Sequence, residues 1–376
     1  MPESTFKAGL EDVVAGESSI CLIDEKDSRL IYYGYDVYDL VEHCSFEEVI
    51  YLLHHGELPT QAQLDDFTAQ LNQERSVDEA VLDLIRHAPL TAHPMETLRT
   101  AVSALSFYDR EANEMTQESN LRKAIRLVAK MGTLVAAIGR TRAGQAPVAP
   151  RGDLSTAANF LYMLTGEAPD DLAEQTLNIA LILHADHEFN ASTFAARVTA
   201  GTLSDIYSAI TSAVGALKGP LHGGANEQVM HMLMEIGTPE KAERWVREAL
   251  AQKKKIMGFG HRVYKHSDPR AEYLKQYAKK VGEAYGQTQW FTLQEEVRRT
   301  VEQQRGLHPN VDFYSATTYY VLGVPIELFT PLFAVSRIAG WTAHVLEQYA
   351  NNRIIRPVAS YIGPQPRSFV ALKDRR

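Results

Sequence analysis

Apolar positions recur every three to four residues over most of this chain, which predicts helices separated by short breaks marked by Gly and Pro. The exception is SICLIDEKDSRLIYYG (Ser19–Gly34), where two short β-prone runs, ICLID and RLIYY, flank a polar turn and predict a hairpin. After it, Ser45 and Glu48 form a capping box ahead of Val49, Ile50, Leu52 and Leu53, with Gly56 and Pro59 as stop signals. Thr60 with Gln63, and Ser76 with Glu79, repeat the start signal. Further helices are predicted at Pro94–Tyr108, Leu121–Ile138, Thr156–Leu164, Leu172–Leu183, Asp205–Leu217, Glu227–Ile236, Pro239–Lys253, Arg270–Tyr285, Phe291–Gln304, Val311–Leu322 and Phe329–Tyr349. No fixed-period repeat is visible, which disfavours a solenoid.

The polar content of these helices is uneven. Residues 240–305 are rich in Lys, Arg, Glu and Gln, whereas 172–217 and 311–346 are densely apolar. This contrast predicts a smaller, more solvated lobe (223–323) inserted into a larger one (1–222 and 324–376), with joints near Gly219–Gly224 and Gly323–Pro325. A cleft between two lobes is a common place for a ligand. The fold class expected is mainly α, with a small N-terminal β-hairpin.

With 376 residues the chain can bury a large core without staples, and its net charge of −9 argues against nucleic acid or an anionic membrane as partner. Small molecules are the expected partners. The two cysteines, Cys21 and Cys44, sit in apolar runs and read as core thiols of a reducing compartment. The N-terminus lacks the pattern of a secretory or transit peptide, and no apolar run reaches the roughly 18 residues of a membrane span, so a cytoplasmic protein is expected.

Polar loops rich in chemistry recur at the ends of apolar helices: LHADHEFNAS (Leu183–Ser192), KGPLHGGANE (Lys218–Glu227), GFGHRVYK (Gly258–Lys265) and HPNVDFYS (His308–Ser315). The third is the densest. Gly258 and Gly260 flank the approach to His261 with backbone free to take positive φ, and Ser267 or Asp268 can cap a helix with Pro269 at its first position, bringing Arg270 to an anion-favouring N-terminus. Asp312 falls in the first turn of the helix that follows the fourth loop. His184 and His187 have a spacing that could ligate a metal, the basis of a rival reading as a metal-dependent hydrolase, but no HExxH motif or Cys cluster accompanies them. A GxSxG nucleophile elbow is also absent.

These four strings, together with SRIAGWTAHVLEQYANNRIIRPVASYIGP (Ser336–Pro364), resemble citrate synthase of the shorter bacterial and archaeal kind. The likeness runs from GLEDVVAGESSI (Gly9–Ile20) through FEEVIYLLHHGELPT (Phe46–Thr60) and HPMETLRTAVSAL (His93–Leu105) almost to the C-terminus. It implies a homodimer of mainly α subunits, each with a large and a small domain closing over oxaloacetate and acetyl-CoA, and no metal or redox cofactor. By motif position, Asp312 resembles the base that takes a methyl proton, His222 the donor to the thioester carbonyl, and His261 the group that polarises the ketone. Arg270, Arg337 and Arg356 match the carboxylate-binding positions with His187 as a fourth contact, and Arg356 is expected to arrive from the other subunit. For coenzyme A the resemblance points to Ile256, Met257, Gly258, Phe259 and Gly260 beside the adenine, with Lys265 or Arg262 near phosphate.

Many members read YRGYD where this chain has YYGYD (Tyr32–Asp36), so Tyr33 carries no expected site role. The chain also starts at the family core, so NADH control and a hexamer are not expected. The nearest rival activity is 2-methylcitrate synthase, which uses propionyl-CoA: HEFNAS with Phe189 is similar to that branch, whereas GHRVYKHSDPRA and HPNVDFYSATTYY look more like citrate synthase. A non-catalytic helical binding protein on the same fold is a third class, against which stands the complete set of acid, base and Arg residues.

Overall fold

The computed structural model describes residues 7–261, 264 and 268–375. Of the sequence expectations, Arg262, Lys265 and the alternative cap Ser267 lie outside the described residues. The chain begins with a small antiparallel sheet of β1 (Cys21–Asp24), β2 (Arg29–Tyr32) and β3 (Tyr35–Asp36) in the order β1-β2-β3. Cys21 pairs with Tyr32 and Asp24 with Arg29, as the hairpin pattern predicts. The third strand is two residues long, too short for any periodicity to reveal.

Sixteen α-helices follow among the described residues. They are α1 (Val37–His43), α2 (Phe46–His55), α3 (Gln61–Glu74), α4 (Glu79–Arg86), α5 (Pro94–Leu105), α6 (Gln117–Arg142), α7 (Thr156–Thr165) and α8 (Asp171–His184). The second half comprises α9 (Ala191–Ala200), α10 (Ile206–Leu217), α11 (Ala225–Ile236), α12 (Pro239–Ala251), α13 (Pro269–Ala284), α14 (Thr288–Arg305), α15 (Val311–Val321) and α16 (Phe329–Ala350). The mainly α expectation therefore holds. No helix among the described residues is long and apolar enough to cross a membrane.

Local chemistry explains most boundaries. Ser45 and Glu48, and Thr60 and Gln63, close reciprocal capping boxes, and Gly56 ends α2 in the left-handed conformation. Ser76 does not cap α4; Asp78 does, accepting from Ala80 N at 2.9 Å, because it stands directly before the helix. The α6 helix extends past the predicted Leu121–Ile138 at both ends, since Thr116 caps it and two Arg residues occupy its last turn. Two helices escape the periodicity altogether. The α1 helix is only seven residues long, and α9 (ASTFAARVTA) has too few large apolar side chains to mark a stripe, yet Asn190 caps it through Thr193 N.

The α16 helix is the spine. Its side chains are buried almost continuously from Phe329 to Val345, and it packs against α2, α5, α6, α8, α9 and α10. A helix buried on all sides is expected to be apolar all round, so Arg337 and His344 on it need dedicated partners. The α11–α15 helices pack chiefly on one another, α13 on α15 and α12 on α14, while α13 also meets α8 and α11 meets α16. Cys21 is buried as expected, but Cys44 is only partly covered because it is the residue that ends α1.

One contact fixes α16 against the end of α8. A Cβ on Gly340 would lie 2.5 Å from the Ala185 carbonyl oxygen and 2.4 Å from Asp186 Oδ1, and Gly340 N donates to that same carbonyl at 3.1 Å. Gly340→Ala is therefore expected to destabilise the fold by about 1–3 kcal/mol, the usual cost of overpacking a rigid contact. A urea midpoint measured by circular dichroism should fall accordingly; an unchanged midpoint would show that the contact yields.

Candidate active site

A cavity of about 810 Å³ draws its walls from segments far apart in sequence. It is lined by His187, Phe189 and Asn190 from the α8–α9 turn, His222 from the α10–α11 turn, Met257 to His261, Arg270 on α13, Asp312 on α15 and Arg337 on α16. A separate cavity of about 670 Å³ beside His93 and Glu227 holds none of the predicted site residues.

Two loops are clasped together to build one wall. Gly260 N donates to the His308 carbonyl and Asn310 N to the Gly258 carbonyl, both at 2.9 Å, with Phe259 bridging antiparallel to Pro309. Asn310 also caps α15 through Asp312 N at 3.1 Å and donates its side-chain amide to the Gly260 carbonyl at 2.9 Å. His261 and Asp312 are thus held on one piece of backbone. Gly258 and Gly260 have φ of +82° and +75°, as expected, but Gly258 is needed for packing: a Cβ there would come within 2.8 Å of Val229 Cγ2 and 2.9 Å of Phe313 Cδ2.

The three candidate catalytic groups are oriented by neighbours. The backbone N–H of Ser192 can only donate, and it meets His222 Nε2 at 3.3 Å, with the Ser192 hydroxyl at 2.7 Å from the same nitrogen. His222 is therefore assigned a proton on Nδ1. Trp341 Nε1 donates to that hydroxyl at 3.0 Å and fixes it. His261 has the opposite tautomer, because Tyr264 N donates to its Nδ1 at 3.1 Å and leaves Nε2 to carry the proton. Burial, then the charge of Arg337, pushes His222 down to about 4; burial, then Arg270, does the same to His261. Both rings stay neutral donors at ordinary pH.

Asp312 is the complementary case. Its Oδ1 is shielded from solvent and accepts no hydrogen bond from the described residues, and burial pushes its carboxyl up to about 7, with Arg270 and Arg337 restraining the rise and Asp268 adding to it. A carboxylate so placed is a base tuned near neutrality.

Arg270 is buried and pairs side by side with Asp268, Nε to Oδ1 and Nη2 to Oδ2, both at 2.9 Å. Asp268 also caps α13 through Arg270 N and accepts from Val311 N at 3.0 Å. Burial drives the Asp268 carboxyl up, but the charge and hydrogen bonds of Arg270, with His261 and Val311 N, together hold it below its ordinary value. Arg337 donates Nε to the His184 carbonyl at 2.7 Å and lies over the Phe333 ring at 4.7 Å, which leaves its two terminal nitrogens for the cavity. Burial lowers its pKa to about 10. His187 is buried, edge-on to His261 at 5.1 Å, and its Nε2 has no partner among the described residues. Burial and the nearby Arg270 keep it neutral.

The chain is similar over nearly its whole length to known proteins. The family model "Citrate synthase, C-terminal domain" matches residues 9–358. The chain belongs to the citrate synthase family. A protein named citrate synthase 2 from Bacillus subtilis is 53% identical over 372 residues, covering 99% of this chain and 100% of its own. The protein named 2-methylcitrate synthase 1 from Corynebacterium glutamicum is 43% identical over 382 residues, covering all of both chains. Among solved structures, the ternary complex of carboxymethyl coenzyme A and oxaloacetate with citrate synthase from Thermoplasma acidophilum superposes with a TM-score of 0.93 at 33% identity, covering 98% of each chain.

Not every residue that the family resemblance selected lines the cavity. Arg356 is exposed on the C-terminal segment and borders a neighbouring cavity of about 920 Å³ with Leu10, Phe189 and Phe194. Within one chain it does not join Arg270 and Arg337. Ile256 is buried in the core and does not line the cavity, while Lys255 does. His184, the other half of the metal reading, binds its own helix through Nδ1 and the Ala180 carbonyl at 2.7 Å, and no group of three or more His, Cys, Asp or Glu that could hold a metal occurs among the described residues. Tyr33, which takes the place of a cation, packs its ring against Gly56.

Sequence reasoning missed Ser192, Trp341 and the partnership of Asp268 with Val311, which exist only through contacts across the fold. It also missed the N-terminal segment Gly9–Val13, which lines the cavity without a motif of recognisable chemistry.

The raised Asp312 carboxyl has a thermodynamic signature. A carboxyl whose pKa rises from 3.8 to about 7 on folding contributes stability that is fully present below 3.8 and lost as pH rises through about 7. Asp312→Asn should therefore melt at a higher temperature than the unaltered protein near pH 8.5, by a gap that shrinks toward pH 5.5. A constant or reversed gap in calorimetric scans would refute the assignment.

Proposed function

We propose that this member of the citrate synthase family joins the methyl carbon of acetyl-CoA to the ketone carbon of oxaloacetate and hydrolyses the citryl thioester to citrate and CoA. The observation that carries the reading is one cavity holding a carboxyl oxygen without a partner among the described residues, two imidazoles with opposite assigned tautomers and two buried guanidinium groups. Asp312 removes the methyl proton. A carboxylate is a weak base for a carbon acid, so the enolate oxygen needs a donor, and the Nδ1–H of His222 supplies it; the Nε2–H of His261 does the same for the ketone oxygen. Such donors in a water-excluded site are worth about 3–4 kcal/mol each.

Two guanidinium groups and His187 suit a dicarboxylate. Arg337 offers its terminal nitrogens, and Arg270 is held rigid by Asp268 so that its remaining edge stays aimed. Met257, Phe259 and Gly260 border the coenzyme A side, and Lys255, which also lines the cavity, is a further candidate cation for phosphate. The chemistry as read uses no metal or redox cofactor. Residues 223–323 form the mobile small lobe over a large lobe of 1–222 and 324–376, a reading supported by the packing of α11–α15 chiefly on one another. The protein acts as a cytoplasmic homodimer in which Arg356 completes the partner's site, which accounts for its exposure in one chain.

Propionyl-CoA is the competing substrate, since relatives of both names match at comparable identity. One methylene discriminates by only about 10–200-fold. The ratio of kcat/KM for the two thioesters is expected to favour acetyl-CoA; a preference for propionyl-CoA would reverse the reading. Asp312→Ala and His222→Ala should each lower kcat by at least about 100-fold with little change in oxaloacetate affinity, whereas Arg270→Ala should raise the oxaloacetate KM. Near-normal turnover in the first two would remove the mechanism.

The shared site has its own test. Arg356→Ala and His222→Ala chains, inactive alone, should regain about a quarter of normal activity when refolded together in equal amounts, because half the dimers are mixed and each mixed dimer holds one intact site. No recovery would place Arg356 in its own subunit's site, and an Arg356→Ala chain active by itself would place it outside both.

A further inference from the structure

We propose that Asp186 is a positioning residue for substrate binding: its buried ion pair with His344 holds the turn that aims His187 into the cavity. The proposal rests on the reading of His187 as an oxaloacetate contact. Asp186 and His344 are both fully buried, and His344 Nε2 lies 3.1 Å from Asp186 Oδ2. The same oxygen accepts the backbone N–H of Glu188 at 3.2 Å. Glu188 has a φ of +55°, a conformation that a residue with a side chain adopts only when something holds it there. His187 stands between these two anchored residues, so their conformation sets the direction of its ring.

The pair is embedded in a balanced set of charges. On its far side His344 Nδ1 faces Arg197 Nη1 at 3.3 Å and Glu347 Oε2 at 3.8 Å, while Arg197 and Glu347 are themselves paired at 2.6 Å. Two carboxylates and one guanidinium leave one negative charge among these neighbours, which His344 and the nearby Arg337 offset, and buried charge of one sign is costly unless matched. Burial opposes a charged His344, but the charge and hydrogen bond of Asp186 together with the hydrogen bond of Glu347 raise its pKa. The Cys21 thiol, pushed well up by burial and then by Asp186, stays protonated and adds no charge. Asp186 has no room to swing, because α16 approaches it at Gly340 closely enough to exclude a Cβ. Besides His187, the set reaches the cavity through the charge of Asp186 acting on Arg337 and through Phe189, which lines the cavity and packs on His344 and Arg197.

Asp186→Asn keeps the size and the acceptor for Glu188 N but removes the charge. It should raise the oxaloacetate KM about tenfold while kcat and the acetyl-CoA KM change less than about threefold, a split that general loss of fold would not produce. His344→Gln should act in the same direction, and the double variant should be no worse than either single one, since both break one interaction. His187→Ala is the parallel control. If it leaves the oxaloacetate KM unchanged, the underlying reading of His187 fails; if it raises KM while Asp186→Asn stays within about twofold of normal, the present proposal alone fails. Nitrogen-15 NMR of the unaltered protein tests the pair even if the variants do not fold: His344 should keep its imidazolium to higher pH than a free histidine does, and a ring that loses its proton at lower pH than free histidine would overturn the proposal.

Discussion

Placing positive charge inside a helical protein without collapsing it into ion pairs is the constraint on which this structure turns. Arg270 and Arg337 are both buried, yet among the described residues only Arg270 has a paired carboxylate, and Asp268 covers only one edge of it. Arg337 is sustained by a backbone carbonyl and an aromatic face, neither of which cancels its charge. Three imidazoles nearby are kept neutral by burial and by those same guanidinium groups, which prevents further accumulation of charge. The two guanidinium groups concentrate positive charge at their end of the cavity, the condition a dianionic substrate relieves, while Glu11, Asp12 and Glu188 line other parts of it.

The architecture that maintains this condition is spread over the whole chain. The α16 helix carries Arg337 toward the cavity and His344 one step behind it, so the spine of the fold is also the back wall of the site. The clasp between Gly258–Gly260 and His308–Asn310 locks two loops some fifty residues apart into one surface. Asp268 ties that surface to α13 by capping the helix, holding its Arg270 and receiving Val311 N. Catalysis of the proposed kind demands donors and a base fixed within a fraction of an ångström, and fixed groups require such cross-links rather than single contacts.

How much of this the sequence discloses depends on the range of the interaction. Capping boxes at Ser45 and Thr60, and Pro269 after Asp268, are local, so they could be read directly from adjacent letters. The α9 helix was lost because its small residues leave no apolar stripe, and Asp78 displaced Ser76 because two start signals stood side by side. The loops bearing His187, His222, His261 and Asp312 stood out as polar breaks between apolar helices, but their residues acquired distinct roles only through the family resemblance. The tautomers of His222 and His261 depend on Ser192 and Tyr264, and the first of these contacts spans thirty residues. Ile256 illustrates the opposite error, a residue chosen within a ligand-facing run whose own side chain turns into the core.

The most direct measurement is a crystal structure of the protein with oxaloacetate and an unreactive acetyl-CoA analogue. The account predicts the oxaloacetate carboxylates on Arg270, Arg337 and His187, its ketone oxygen on His261 Nε2, and Asp312 beside the carbon that replaces the methyl group, with His222 on the thioester oxygen or its counterpart. Ligand bound in another cavity, or bound here with Asp312 and the two imidazoles out of reach of a single pair of reacting carbons, would contradict it.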